Sequence, residues 1–522
     1  MADLRVPESS AWTTVLDRAR STASEAFTDG SPANLIDGEW RSVGKPADQV
    51  SPVDQSVLGS ILKVDAATAT DAVERAAGAH RRWGDVDLDE RRRRVGAAID
   101  AMEAARDELA LLLCWEIGKP WKSACSDVDR AIEGGRWYID AVEDMLARDV
   151  DGNPCTRRPL EGPVSNIASW NYPMSVLVHA ELVQLLAGNA VVAKTPTQGG
   201  AFCLTVAHAL MAREGLPVTL LSGDGSELSD ALIRSPEIGA LAFVGGRSNG
   251  GKVAQQLADT GKRHMLEQEG LNTLGVWDYS DWDSLSGLLA KGFEYGKQRC
   301  TSYPRFVVQR DLVDSFLATY LPVVEGLQFG HPLASTDDEL PTLDFGPLIS
   351  ASKARELDES VTEALRHGAV PLYRGSTADG HFLPEQDTAA YHAPVTMLAP
   401  PGAARLMHEE PFGPVDSIVV VDTEAELLAQ MNASNGALVA TIVSDDEESA
   451  TRMADQLHAF KVGINRLRSR GDRDEAFGGY GASWKGAFVG GEHIVHAVTQ
   501  GPPNEYLYGN FPGYTRFPQG GA

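Results

Sequence analysis

Apolar residues recur at helical spacing through 66–78, 89–117 and 122–146, each stripe backed by a charged face, which predicts amphipathic packing helices. From Gly162 the rhythm changes. Short apolar runs at 164–168, 189–193, 218–221 and 241–244 alternate with helical stretches at 176–186, 201–214 and 226–235. That alternation predicts a parallel, doubly wound sheet, the usual seat of a nucleotide. A second alternating stretch runs from Leu266 through Val308, 311–327, 351–368, 417–421, 424–433 and 439–443, and closes with 449–460 and 462–465. It predicts another α/β domain. The tail 500–522 is punctuated by Pro502, Pro503, Pro512 and Pro518 with Gly509, Gly513, Gly520 and Gly521, so no regular element is expected there. Its aromatic side chains nevertheless carry apolar area that seeks cover.

A chain of 522 residues with 43% apolar content is long enough for two sizeable cores. Its net charge of −27 argues against nucleic-acid or anionic-membrane partners, which need clustered cations, but says little about one local pocket. No apolar run reaches 18 residues, and the first ten positions lack the basic start and apolar core of a signal peptide, so a cytoplasmic protein is expected. Five cysteines (Cys114, Cys125, Cys155, Cys203 and Cys300) with no CxxC pair indicate neither a disulfide framework nor a metal site. Most are expected to be small buried hydrophobes.

Cys300 differs in its surroundings: Gly292-Phe-Glu-Tyr-Gly-Lys-Gln-Arg-Cys-Thr-Ser-Tyr-Pro-Arg305 reads as an exposed turn. Flanking Lys297, Arg299 and Arg305 would favour its thiolate, although a basic stretch is also ordinary for a solvated loop. Upstream, Met265-Leu-Glu-Gln-Glu-Gly270 ends an apolar segment in carboxylates. Hydrolysis of a thioester needs a base to take a proton from water, and Glu267 suits it, with Glu269 as competitor. The third element is Ser169-Trp-Asn-Tyr-Pro173, where the NH₂ of Asn171 offers a donor for an oxyanion; Asn before an aromatic and Pro is equally common turn chemistry.

Together these segments resemble the aldehyde dehydrogenase superfamily over nearly the whole chain, from Leu35-Ile-Asp-Gly-Glu-Trp40 to about Val498. Gln298-Arg-Cys300 matches the family's Gln-x-Cys turn, Trp170-Asn-Tyr-Pro173 its oxyanion Asn, and Leu266-Glu267 its base. Glu410-Pro-Phe-Gly-Pro414, Gly463-Ile-Asn465 and Phe477-Gly-Gly-Tyr480 follow in the family's order. Val191-Val-Ala-Lys-Thr-Pro-Thr197 and Phe243-Val-Gly-Gly-Arg-Ser-Asn-Gly250 resemble its cofactor segments. The departures are Gln268-Glu269-Gly270-Leu271 for the usual Leu-Gly-Gly-Lys, Lys297 for a Gly, a missing Lys-x-Ser-Gly after Tyr480, and an added tail. They mark a divergent subfamily.

The resemblance implies a Rossmann-like cofactor domain (1–147 and 161–265), an α/β catalytic domain (266–465), and a small β excursion at 148–160 which, with the tail 490–522, serves oligomerisation. It implies oxidation of a small-molecule aldehyde to an acid with Cys300 as nucleophile, Asn171 as oxyanion donor and Glu267 as base. NAD or NADP would be held by Trp170, Lys194, Thr197, Gly225, Gly245, Gly246, Gly250, Glu410 and Phe412. Thr197 stands where members that prefer NAD carry a Glu, so NADP acceptance is favoured. The aldehyde pocket would contain Tyr172, His179, Arg299 and Thr301, with Arg299 either holding an anionic group or packing the loop. A homodimer or homotetramer is expected. The alternatives are release of the thioester to coenzyme A, and an inactive binding protein on the same fold.

Overall fold

The computed structural model describes residues 4–150, 153–337, 339–400, 402–434, 436–471, 473–502 and 505–511. Two sheets organise them. Runs of β-branched and small apolar residues give the buried strands Val164–Ile167, Val191–Lys194, Val218–Leu221, Ala240–Val244 and Arg263–Glu267, all parallel. Strands buried on both faces can carry apolar residues on either side, which is why Val191–Ala193 reads as a continuous run; Ser165, Asn166 and Thr219 interrupt Val164–Ile167 and Val218–Leu221. Their order places Val164–Ile167 between Val191–Lys194 and Ala240–Val244, so the winding reverses beside it. At that switch point the loops after the two neighbouring strands diverge and leave a crevice at their carboxyl ends.

The second sheet has seven strands, in the order Val370–Arg374, Val395–Leu398, Val415–Val421, Arg305–Gln309, Thr273–Val276, Val439–Val443 and Lys461–Ile464. Helices pack on both sheets. Trp121–Leu146 lies against Leu88–Ala104 and Arg106–Ile117, and against the turn Pro173–Val178 that enters the site. The stretch 89–117, which reads as one helix, is two: Asp87 caps the first by accepting from Glu90 N at 2.8 Å, the chain bends at Ala105, and Gly118 ends the second at φ +68°. Apolar periodicity carries across such a bend without a break.

Two expectations need correction. The strand Arg263–Glu267 belongs to the first sheet, so that sheet extends past the boundary placed at 265, and Trp484–Ala487 pairs antiparallel with it. The tail is not without regular structure: Thr499–Gln500 pairs with Arg158–Pro159, and Gly509–Asn510 becomes the edge strand beyond Trp484–Ala487. Pro and Gly punctuation predicts turns correctly but does not register two-residue edge strands between them. The expected excursion exists as an antiparallel hairpin, Ala147–Val150 with Asn153–Thr156, which forms a sheet of its own. No helix among the described residues is long and apolar enough to cross a membrane.

Candidate active site

A sharp turn presents Cys300. Tyr295, Gly296 and Lys297 take φ of +58°, +58° and +61°, a left-handed path that costs roughly 1–2 kcal/mol for each non-glycine residue. Buried bonds hold it. Lys297 Nζ donates to both oxygens of Asp416 at 2.6 and 2.7 Å and to Tyr303 O at 2.9 Å, and Tyr295 Oη donates to Ile117 O at 3.0 Å. The lysine that replaces the family's glycine therefore anchors the turn to the strand Val415–Val421.

Asn272 fixes the other side. Its Nδ2 donates to Cys300 O at 2.7 Å and Ser302 O at 2.8 Å, while Oδ1 accepts from the amides of Leu438 and Val439 at 3.1 and 3.0 Å. One fully buried side chain thus satisfies four main-chain groups at once. Asn272→Ala should destabilise the protein by about 2–4 kcal/mol, because it orphans buried donors and acceptors. Denaturant unfolding checks this; a change of a few tenths would contradict it.

Around the thiol, the sequence reading is met in part. Asn171 Nδ2 donates to Gln298 O at 3.0 Å, which holds its amide beside the turn and leaves a second hydrogen for a substrate oxygen. Glu267, at the end of its strand and 2% exposed, lies beside Cys300 at the bottom of the crevice. Glu269 points elsewhere, toward Arg247 at 3.5 Å. The flanking cations do not activate the thiol, contrary to expectation: Lys297 is bound to Asp416, Arg299 to Glu294 and to the carbonyls of Lys291 and Gly292, and Arg305 to Met407 O and Gln430 O. Burial instead pushes the Cys300 thiol well up, Glu267 and Glu410 push it further, and Arg470 pulls the other way. Cys114, Cys125 and Cys203 are buried free thiols, and Cys155 falls among residues whose side chains lie outside the described set.

Two cavities meet at Cys300. One, of about 860 Å³, is lined by Trp170, Asn171 and Tyr172 on one wall and by Gly245, Gly246 and Asn249 on another, with Glu267, Glu410 and Phe412. Gly246 precedes the helix Arg247–Leu257, so free amides and the positive end of the helix dipole face this trench. Gly250 must stay small, since a Cβ would stand 2.6 Å from the Gln268 side chain. Glu410 is buried with neither carboxylate oxygen bonded within the described residues, and burial, reinforced by Glu269, pushes its carboxyl well up. Two orphaned acceptors in a dry trench suit the hydroxyls of a ribose. Phe412, at φ +50°, packs edge-on against Trp170 at 5.8 Å. At the neighbouring strand end Lys194 is buried, donates to Thr195 O at 2.7 Å, and has its ammonium pulled down to about 8 by burial; Gly225 lies against its stem. Thr197 is exposed. The trench residues Trp170, Gly245, Gly246, Glu410 and Phe412 fit a dinucleotide, whereas Lys194, Thr197, Gly225 and Gly250 stand outside its lining.

The other cavity, of about 360 Å³, is lined among others by Tyr172, His179, Arg299 and Thr301. His179 is held neutral, its ring pushed down to about 3 by burial, and it sits so close to the helix Trp121–Leu146 that a Cβ on Gly134 would be 2.5 Å from its ring. What sequence reading missed is charge. Arg130, Lys291, Arg299, Arg468, Arg470 and Arg473 line this cavity against two carboxylates, Glu133 and Glu294, in a chain that is strongly acidic overall. The run Arg466-Leu-Arg-Ser-Arg470, with Arg473 beyond, was the available signal.

A family model described as the aldehyde dehydrogenase family matches residues 40–501. The α-ketoglutarate semialdehyde dehydrogenase of Haloferax volcanii is 28% identical over 466 residues, 87% of this chain and 94% of that protein. The NADP-dependent succinate-semialdehyde dehydrogenase of Escherichia coli is 26% identical over 83% of this chain and 89% of its own. Among solved structures, the NADP-dependent glyceraldehyde-3-phosphate dehydrogenase of Bacillus halodurans, complexed with NADP, superposes with a TM-score of 0.81 at 28% identity, covering 90% of this chain and 97% of that one.

Proposed function

The chain belongs to the aldehyde dehydrogenase family and is an NAD(P)-dependent oxidoreductase, and we propose that it oxidises aldehydes bearing an anionic group through Cys300, Asn171 and Glu267. The observation that carries this reading is the junction itself: a thiol and a carboxylate at the meeting point of a dinucleotide-shaped trench and a cation-lined cavity. The thiol proton passes to solvent water as sulfur attacks, and Glu267 is reserved for the hydrolytic half of the reaction. A C–S bond forms to the carbonyl carbon, and the carbonyl oxygen takes up negative charge against Asn171 Nδ2 and the Cys300 amide. The bound nicotinamide supplies the hydride acceptor. The thioester left on Cys300 is hydrolysed when Glu267 takes a proton from water, the hydroxide adds, the C–S bond breaks, and the acid departs as the thiol re-forms.

An excess of guanidinium groups in the cavity supports the anionic substrate, and the named substrates of the relatives are of that class. A panel of acidic and neutral aldehydes of matched length, assayed with both cofactors and without coenzyme A, tests the reading. Acid formation with higher kcat/KM for the acidic members supports it; no preference in any pair overturns the substrate assignment.

Cofactor choice rests on Thr197 and Lys194, a hydroxyl and a cation at the end of one strand, which accept NADP. Thr197→Glu should shift the ratio of kcat/KM values toward NAD by about tenfold, since one added like-charge repulsion at an exposed site is worth about 1–2 kcal/mol. If the wild type turns over no NADP, or the variant uses it equally well, this reading of Thr197 is wrong. The hairpin Ala147–Val150/Asn153–Thr156 pairs with no other described strand, and an isolated ribbon seeks a partner, which supports a dimer or a dimer of dimers. A monomer by light scattering at micromolar concentration would refute it.

A further inference from the structure

Arg470 binds the wrong partner for a residue that lines a substrate cavity. Its Nη1 donates to Glu267 Oε2 at 2.9 Å, while Glu267 Oε1 is buried without a hydrogen-bond partner. The same guanidinium lines the cavity that opens beside Cys300 and Thr301, and a small pocket of about 40 Å³ on the far side of Glu267. Its plane faces the Phe477 ring at 5.5 Å, and it keeps a quarter of its side-chain surface exposed on a loop between the strands Lys461–Ile464 and Trp484–Ala487. Glu267, by contrast, has almost no exposed surface.

A carboxylate oxygen that accepts from a guanidinium is engaged in a charge-assisted hydrogen bond. The Glu267 Oε2 that would otherwise reach water therefore rests bonded to Arg470. The cation in that pair is also one of those an anionic substrate would meet. We propose that Arg470 is a substrate-operated latch on Glu267: the anionic group of an acidic aldehyde competes with Glu267 for the guanidinium, and drawing it away frees the carboxylate for thioester hydrolysis. Neutral aldehydes are oxidised as far as the thioester but leave the latch closed. Nothing is transferred by Arg470 itself. It exchanges one carboxylate for another, while the proton of water still passes to Glu267 and the C–S bond still breaks at Cys300. Arg299 is tied to Glu294 and two carbonyls and Arg473 to Glu133, so neither is the cation bonded to Glu267.

This inference rests on the proposed roles of Cys300 and Glu267, and the experiment separates the two. Rapid mixing of enzyme and NAD(P) with 4-oxobutanoate or with butanal, a four-carbon pair differing only in the carboxylate, reads acylation as the first-turnover burst of reduced nicotinamide and deacylation as the steady rate after it. If neither aldehyde gives a burst, the underlying mechanism fails. With the burst present, the wild type should turn over 4-oxobutanoate about tenfold or more faster than butanal after it, the scale of one charge-assisted hydrogen bond. Arg470→Ala should raise the post-burst rate with butanal several-fold, raise KM for 4-oxobutanoate, and bring the two kcat values together. Arg470→Lys, which keeps the charge and loses the fork, should retain part of the discrimination and serves alone if the alanine variant does not fold. Equal loss of kcat for both substrates would make Arg470 a mere orienter of the base and overturn the latch, as would unchanged kcat values in the variants.

Discussion

Cys300→Ala should lower aldehyde oxidation by about 10⁴-fold or more while leaving NAD(P) affinity within a few-fold of the wild type. The sulfur is the atom to which the substrate carbon bonds, and no other described cysteine reaches the site: Cys114, Cys125 and Cys203 are buried elsewhere with thiols pushed up by desolvation. The trench that fits the dinucleotide is built from Trp170, Gly246, Glu410 and Phe412, none of which bonds the thiol. Alanine also keeps the backbone that Asn272 and Lys297 anchor, so stability should hardly move. Oxidation at the wild-type rate would remove the nucleophile from this account. Lost cofactor binding would show that the turn, not the thiol, had been damaged.

Glu267→Gln should lower steady-state turnover by about 10²–10⁴-fold, the usual worth of one general base, while a burst of about one reduced nicotinamide per site survives. Glutamine keeps the shape and an acceptor for Arg470 but cannot take a proton from water. Rapid-mixing absorbance separates the phases. Glu269→Gln is the control: its carboxylate faces Arg247, so it should change cofactor affinity more than turnover. A burst followed by slow turnover in the Glu269 variant, and not in the Glu267 variant, would exchange their roles.

The sequence made legible whatever is encoded by local pattern. Runs such as Val191–Lys194 and Val218–Leu221 declare their strands, because each is written in consecutive residues, whereas the helix start at the glycines around 245–250 followed from the family resemblance. Cys300, Glu267 and Asn171 could be picked out only jointly, through the family resemblance of their segments, and they do converge. What could not be read is what depends on distant partners. Lys297 looks like a thiolate-stabilising cation until Asp416, over a hundred positions away, is seen to hold it. Asn272 has nothing unusual around it in sequence, yet ties the nucleophile turn to Leu438 and Val439. Arg470 sits in a loop that pattern alone reads as solvated, and its meeting with Glu267 is a product of the tertiary fold.

The strand that ends in Glu267 is flanked on one side by Ala240–Val244 and on the other by Trp484–Ala487, which is itself covered by Gly509–Asn510. During synthesis, which proceeds from the N-terminus at about 5–20 residues per second, the first sheet waits with an open edge at its most chemically important strand until residues 484–487 have been made. Such an edge is a template for pairing with the wrong chain. A nascent chain stalled or cleaved before residue 484 would expose it, and would also lack Arg470's neighbours around the carboxylate. Removing residues 484–511 should therefore damage yield and solubility although none of them is placed at the reacting atoms, because Trp484–Ala487 and Gly509–Asn510 seal the edge beside Glu267.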